Sequence, residues 1–307
     1  AMATHLDGNR NIAIGYQAMT DTNAGTTSDG STDNIFIGKL AGGGTWANAE
    51  SNSNVAIGNL AMDAAMDGAL YNVALGDGTL SALTQGDYNI AIGGQCGVAL
   101  TTGSQNILIG TSAGDGLIAE VNNVVIGHDA MTHANPQADA CVAIGASCMG
   151  GDLTSGADGT VAIGYDALNA LTSGAGNVAI GYTALSALTT GAGNTVVGYT
   201  AADGITTGLR NTAIGYNALG AADLDEADNT CVGHNAGDGI VESSASGGDQ
   251  MTMIGSGTDP STAAGTNQTA IGYGATGQAN NSVTLGNASV TAVYMAQDSG
   301  ATVHCSA

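Results

Sequence analysis

The sequence predicts an all-β chain wound as a parallel β-solenoid, a β-roll of about sixteen rungs with a dominant 17-residue period. Three observations predict it. A glycine recurs at a nearly constant interval, β-branched residues alternate just before it, and large side chains are scarce: 1 Trp, 1 Phe and 9% charged residues beside 50 Gly. The 50 Gly and 2 Pro make 52 of 307 residues, below the share at which disorder becomes the default, and 43% of the chain is apolar. The chain folds, with small side chains.

The glycine comes first. Closing each "xAIG" unit, it stands at 15, 38, Gly58, Gly76, Gly93, Gly110, Gly127, Gly145, Gly164, Gly181, Gly198, Gly215, 233, 255, 272 and 286. Common helical repeats need about 33 residues or more, so an interval of 17 excludes them. An invariant glycine implies a backbone geometry closed to other residues, or close approach of a neighbouring chain.

The strand comes next. Ile, Leu or Val precedes every one of these glycines, and a β-branched residue stands two positions earlier, as in Ile12 and Ile14 or Val161 and Ile163. Alternation at period two marks a strand. These two rows are expected to face the interior of the coil, each buried Ile or Val contributing roughly 1.5–3 kcal/mol. The slot between them is then expected to point outward. It holds Ala nine times, including Ala56, Ala74, Ala91, Ala143, Ala162, Ala179 and Ala213, and never a charge. A smooth apolar outward row reads as a face covered by another chain, since an exposed stripe of that length risks aggregation. The Ala row is therefore the candidate subunit interface.

Three residues after the glycine the side chain is always small, and apolar steps such as "ALSAL" (184–188) follow as a second arc. A "LTTG" or "LTSG" turn leads to the next rung. Asn fills the slot four before the glycine in eleven copies, among them Asn89, Asn177 and Asn194. Stacked amides can bond up a column; an Asn kept for its turn geometry fits the pattern as well. Extra loop length falls at 16–34, 39–53 and 234–250, and both prolines, Pro136 and Pro260, fall outside the strands. Residues 1–10 read as a leader or cloning scar, 11–286 as the solenoid, and 287–307 as an exit segment towards a downstream domain. At about 4.8 Å per rung the rod is roughly 75 Å long.

The repeats "NIAIGYQAM", "NVAIGNLAM", "TVAIGYDAL" and "NTAIGYNAL" resemble the heads of YadA-like trimeric autotransporter adhesins, and similar repeats in phage tail fibres. The resemblance spans about residues 11–290. It implies a left-handed β-roll, three chains around one axis, an adhesive role and a place outside the cell or on the virion surface. The family repeat is nearer 14 residues than 17. The "NALxALTTGxGN" extension and the absence of a coiled-coil stalk favour the phage-type fibre.

Three basic residues (Arg10, Lys39, Arg210) against 26 acidic ones give a net charge of −23, which argues against nucleic acid and anionic membranes as partners. No apolar run is long enough to span a bilayer. Most acids are Asp, often beside Gly or Asn, a turn signature; the surface charge keeps a long object soluble. Calcium is the one cofactor they would suit, but neither an RTX nonapeptide nor an EF-hand spacing is present. Cys96, Cys141, Cys148, Cys231 and Cys305 show no metal or disulfide spacing, and the first four read as small buried residues.

Tyr165, Tyr182, Tyr199 and Tyr216 share the slot after the glycine and would stack on one edge of consecutive rungs, to cover the core edge or to bind sugar rings. Thr and Ser pairs at 172–173, 189–190 and 206–207 make a ladder too short for an ice-binding face. No carboxylate pair among aromatics, Ser–His–Asp set or phosphate loop appears, so no catalytic, cofactor or metal residues are assigned. The sequence reads as a homotrimeric fibre segment presenting loops to a host receptor or glycan. A plain structural or ice-binding filament and a carbohydrate-cleaving spike are the alternatives.

Overall fold

The computed structural model describes residues 8–20, 30–47, 49–133, 137–222, 225–240, 248–263 and 265–293. Sixteen short strands lie in one parallel sheet in chain order: β1 (Ile12–Ile14), β2 (Ile35–Ile37), β3 (Val55–Ile57), β4 (Val73–Leu75), β5 (Ile90–Ile92), β6 (Ile107–Ile109), β7 (Val124–Ile126), β8 (Val142–Ile144), β9 (Val161–Ile163), β10 (Val178–Ile180), β11 (Thr195–Val197), β12 (Thr212–Ile214), β13 (Thr230–Val232), β14 (Thr252–Ile254), β15 (Gln268–Ile271) and β16 (Ser282–Leu285). Each repeat slot pairs with itself one rung on, as in Val178↔Thr195, Ala179↔Val196 and Ile180↔Val197. The chain is a β-solenoid. The period-two strand signal and the interval of the glycines locate every rung.

The facing of the strands is the reverse of the sequence expectation. The middle row points inward: Ala56, Ala74, Ala91, Ala143, Ala162, Ala179 and Ala213 are fully buried within the single chain. They therefore cannot form a subunit interface. The flanking Ile and Val rows point outward, with Ile14, Ile57, Ile92 and Ile214 all exposed. The cause is the narrowness of the rung. The second arc sends Leu168, Leu171, Leu185, Leu188 and Leu219 into the same core, and a three-residue strand facing them turns one side chain inward, usually a small one.

Volumes across this core compensate. Where the inward strand residue is Ala, the residue four after the glycine is often long, as in Ala56 with Met62, Ala143 with Met149 and Ala179 with Leu185. Where the strand supplies Phe36, Leu108 or Cys231, that slot becomes Gly42, Gly114 or Gly237, and a Cβ there would press on that strand side chain. Volume is thus exchanged within a rung and between neighbours, since Gly97 beside Ala91 makes room for Leu108 and Leu80 of the adjoining rungs, as a close-packed interior requires. Near the N-terminal end Trp46, from one of the long loops, folds into the core against Phe36, ring centroids 5.8 Å apart and edge to face. Its Nε1–H donates to Gly42 O at 3.1 Å.

The recurring glycine serves both purposes the sequence allowed. Gly164 and Gly181 have φ of +141° and +143°, and a Cβ on either would collide with the glycine carbonyl of the next rung. Corners are also made by non-glycine residues in the left-handed region, such as Thr183 (φ 50°) and Leu185 (φ 52°). Nothing in their side chains announces this, and the cost is borne because the stack fixes each corner.

The asparagines form ladders. In the run from Asn34 to Asn123 each backbone N–H donates to Oδ1 of the preceding Asn, and most Nδ2 groups do likewise while also donating to a carbonyl of the following rung. A second ladder runs from Asn177 to Asn229. Between them Cys141 and Thr160 occupy the slot, and Thr160 Oγ1 is buried without a partner. Asn177, with no amide upstream, turns its Nδ2 to Gly174 O at 2.8 Å.

Candidate functional site

Two outward features stand out from the regular stack. The first is a column of rings in the slot after the glycine. Tyr165, Tyr182, Tyr199 and Tyr216 stack at centroid distances of 5.2, 4.9 and 5.3 Å, and the stack continues to His234 at 5.2 Å. Neighbouring rings lie within 2–13° of parallel. The column is built by the register alone, because each ring follows a glycine stacked on the next glycine. The tyrosines are about half exposed, 45–52%. The sequence grouped the four tyrosines; the membership of His234, which follows Gly233, depends on the rung spacing, which the structure supplies.

This geometry limits what the column can do. Inner rings such as Tyr182 and Tyr199 have both faces covered by neighbours, so a sugar cannot stack on them. Their edges and hydroxyls are what solvent meets. Stacked aromatic pairs contribute about 0.5–1.5 kcal/mol each beyond area burial, which is a stabilising role in itself. The Asp166 carboxylate beside Tyr165 pushes that phenol's pKa above its ordinary value, keeping it a neutral donor. One flank of the column is the apolar row of Ile163, Ile180 and Val197; the other is a polar row of Asp166, Thr183, Thr200 and Asn217.

The second feature is the outward face of the sheet, two parallel rows repeated over sixteen rungs. The row before the glycine is Ile, Leu or Val throughout. The other is aliphatic through β10 and then becomes Thr195, Thr212, Thr230, Thr252 and Thr269, aligned strand to strand. This five-rung threonine row went unrecognised in the sequence because its slot had been assigned to the interior.

A further column lies five residues before the glycine. There Arg10 forms a two-pronged pair with Asp33 (2.6 and 2.7 Å), Arg210 does so with Asp228 (2.6 and 2.8 Å), and Tyr71 stacks on Tyr88 at 5.0 Å. The guanidinium hydrogen bonds hold Asp33 and Asp228 below the usual carboxylate range. Both pairs are exposed, so each adds little stability. Several other aspartates accept a backbone N–H from the preceding rung: Asp67 from Ala49, Asp87 from Leu70, Asp139 from Val121 and Asp249 from Ala227. Their place is the turn, as the sequence suggested.

Among the described residues no group of three or more His, Cys, Asp or Glu side chains could hold a metal ion, and no helix is long and apolar enough to cross a membrane. Cys96, Cys141, Cys148 and Cys231 are buried and unpaired to one another. Of the long loops assigned to receptor binding, residues 21–29, 48 and 241–247 lie outside the described residues, as do Pro136, Cys305 and the chain beyond 293. Compared with protein-family models, curated protein sequences and solved structures, the chain matches none at significant similarity.

Proposed function

We propose that this chain is a stiff attachment-fibre segment that assembles with copies of itself, three around one axis, through the outward Ile/Val face of its sheet. The observation that carries the reading is the continuity of that face: sixteen rungs of paired aliphatic or threonine side chains without one charge. A strip tens of ångströms long far exceeds the apolar patches that soluble monomers tolerate. A second copy of the same flat ladder is its natural complement, and closed symmetry buries all such faces at once. The resemblance of the "VAIG" repeats to trimeric adhesin heads and phage tail fibres supports the number three and a place on a virion or cell surface. The mass of the purified chain in solution tests this. Three copies of 29.7 kDa, about 89 kDa, are expected, and a species of 29.7 kDa would overturn it.

The row Thr195, Thr212, Thr230, Thr252 and Thr269 gives one observation in favour of a second reading, a flat hydroxyl-bearing face that binds ice or another crystalline surface. Thermal hysteresis by the purified chain would support that reading, and it requires the face to be uncovered.

A further inference from the structure

We propose that the ring column from Tyr165 to His234 is a track for an extended, non-anionic polysaccharide that lies edge-on along the rod axis. The proposal names a ligand class for the attachment segment and rests on that reading of the chain. It starts from what the rings leave available. With centroids 4.9–5.3 Å apart and planes nearly parallel, the inner rings offer no face, only edges and phenolic hydroxyls. Those hydroxyls repeat at the rung interval in a line parallel to the axis. A partner that uses all of them must itself repeat at that interval and run in the same direction. A pyranose chain in extended β-linkage advances per sugar by about the ring-to-ring interval of this column and carries a hydroxyl or acetamido group on every unit.

The polar flank matches the same ligand. The Thr183 and Thr200 hydroxyls border the rings, beside an Asn217 amide that Asp238 and Thr200 already hold, while the Ile180, Val197 and Ile214 flank belongs to the face through which copies assemble. A neutral Tyr165 phenol beside Asp166 adds a donor and an acceptor at one end. Charge narrows the class: with 26 acids against 3 bases, and with Arg10 and Arg210 already paired to Asp33 and Asp228, the chain repels sulfated, uronic or sialylated glycans. Neutral and amino-bearing chains remain. Multiple weak hydrogen bonds in register give an affinity that grows with the number of sugars engaged, up to the five rings available.

The test titrates the full chain with cellohexaose and with the N-acetylglucosamine hexamer, alongside cellotriose and a hexameric polyuronate, by calorimetry. One of the two hexamers is expected to bind, the trimer more weakly and the uronate not at all. The variant Tyr182→Phe/Tyr199→Phe keeps the stack and removes two hydroxyls; it should weaken hexamer binding by roughly tenfold or more, each net hydrogen bond carrying about 1 kcal/mol, at unchanged β-sheet circular dichroism and unchanged mass. Failure of both hexamers to bind, equal affinity for trimer and hexamer, tight uronate binding, or undiminished binding by the double Phe variant would each overturn the track. A solution mass of three chains with no glycan binding would sink this proposal and leave the fibre assignment standing.

Discussion

Asn194 donates both its backbone N–H and its side-chain Nδ2 to Oδ1 of Asn177, each at 3.0 Å. The same side chain donates to Gly208 O at 2.9 Å and accepts from both nitrogens of Asn211 at 2.9 and 3.1 Å. One buried amide thus ties three rungs together. Asn194→Ala removes four of these bonds and leaves buried groups on Asn211 and Gly208 without partners. At about 1–3 kcal/mol for each unsatisfied group, the loss is expected to be about 3 kcal/mol or more, read as a fall in the thermal or denaturant midpoint. Asn194→Asp can accept but not donate and buries a charge. It should be worse than Ala at neutral pH and recover partly on acidification, as the introduced carboxylate takes up a proton.

The break between the two ladders predicts a gain. Thr160 Oγ1 is buried and unpartnered, and Asn177 makes no upstream amide bond. The double substitution Cys141→Asn/Thr160→Asn would join the ladder that ends at Asn123 to the one that begins at Asn177. Each net buried hydrogen bond is worth about 1 kcal/mol, so the midpoint should rise. An unchanged or lower midpoint would mean that the backbone at these two rungs differs too much for amides to stack.

How much of this was legible in the sequence follows from what repeats. The rung count, the parallel register and the tyrosine column all follow from one interval, because in a stack the same slot meets itself. Facing was not legible from alternation, since a period of two fixes which residues share a side but not which side is the core. A partial trace was nonetheless present in volumes: Gly42 and Gly114 stand in the slot that elsewhere holds Met or Leu where Phe36 and Leu108 precede them, although Gly97 follows Ala91 in the same slot. Phe36 and Leu108 can press on those glycines only from an inward-facing strand position. The left-handed corners at Thr183 and Leu185 left no mark, because no side chain there needs them. Trp46 read as part of an insertion, and its place in the core depends on a loop path that slot spacing does not describe.

The volume exchange itself can be tested. Ala179→Leu adds a large group opposite Leu185 and is expected to cost about 1–3 kcal/mol through overpacking. Leu185→Gly alone opens a cavity at a cost of about 2–5 kcal/mol, the range for large-to-small core changes. Together they reproduce the Leu108 and Gly114 arrangement, and the double variant should be more stable than the sum of the single changes predicts. A double-mutant cycle with zero coupling would show that the two slots do not share space.

The glycine row separates two causes of intolerance. Gly181→Ala places a Cβ against the Gly198 carbonyl at φ +143°, and should destabilise by about 3 kcal/mol or more. Gly176, at φ +69° with nothing within 4 Å of its notional Cβ, pays only for the left-handed backbone, about 1–2 kcal/mol in Gly176→Ala. Chemical denaturation of the two variants should rank them in that order.

The buried thiols predict a dependence on pH. Burial pushes Cys96, Cys148 and Cys231 up to about 12 and Cys141 to about 11, from an ordinary 9.0. Because the folded values are raised, stability is unaffected by these groups below pH 9 and falls as pH rises from there towards 12, where only the unfolded chain ionises readily. In the native state the four should resist an aromatic disulfide reagent at pH 8 and react once denaturant is added. Rapid native labelling of any of them, resolved by peptide mapping, would contradict the packed core.

Two adjacent residues decide between the facing expected from alternation and the facing found. Ala213 is fully buried, while Ile214 is 40% exposed. Ala213→Asp buries a charge among Leu219 and its neighbours, and should abolish the cooperative fold at that rung and lower the midpoint severely. Ile214→Asp places the same carboxylate on the outward face. The single chain should keep its β-sheet signal, but three such charges brought together around an axis repel in a desolvated seam, so the solution mass should fall from about 89 kDa towards 29.7 kDa. If both variants unfolded alike, the outward row would belong to the core of the chain. If Ile214→Asp left the mass at three chains, the seam would lie on some other face. Only the pairing of an intact fold with a dissociated assembly satisfies both the burial of Ala213 and the exposure of the residue beside it.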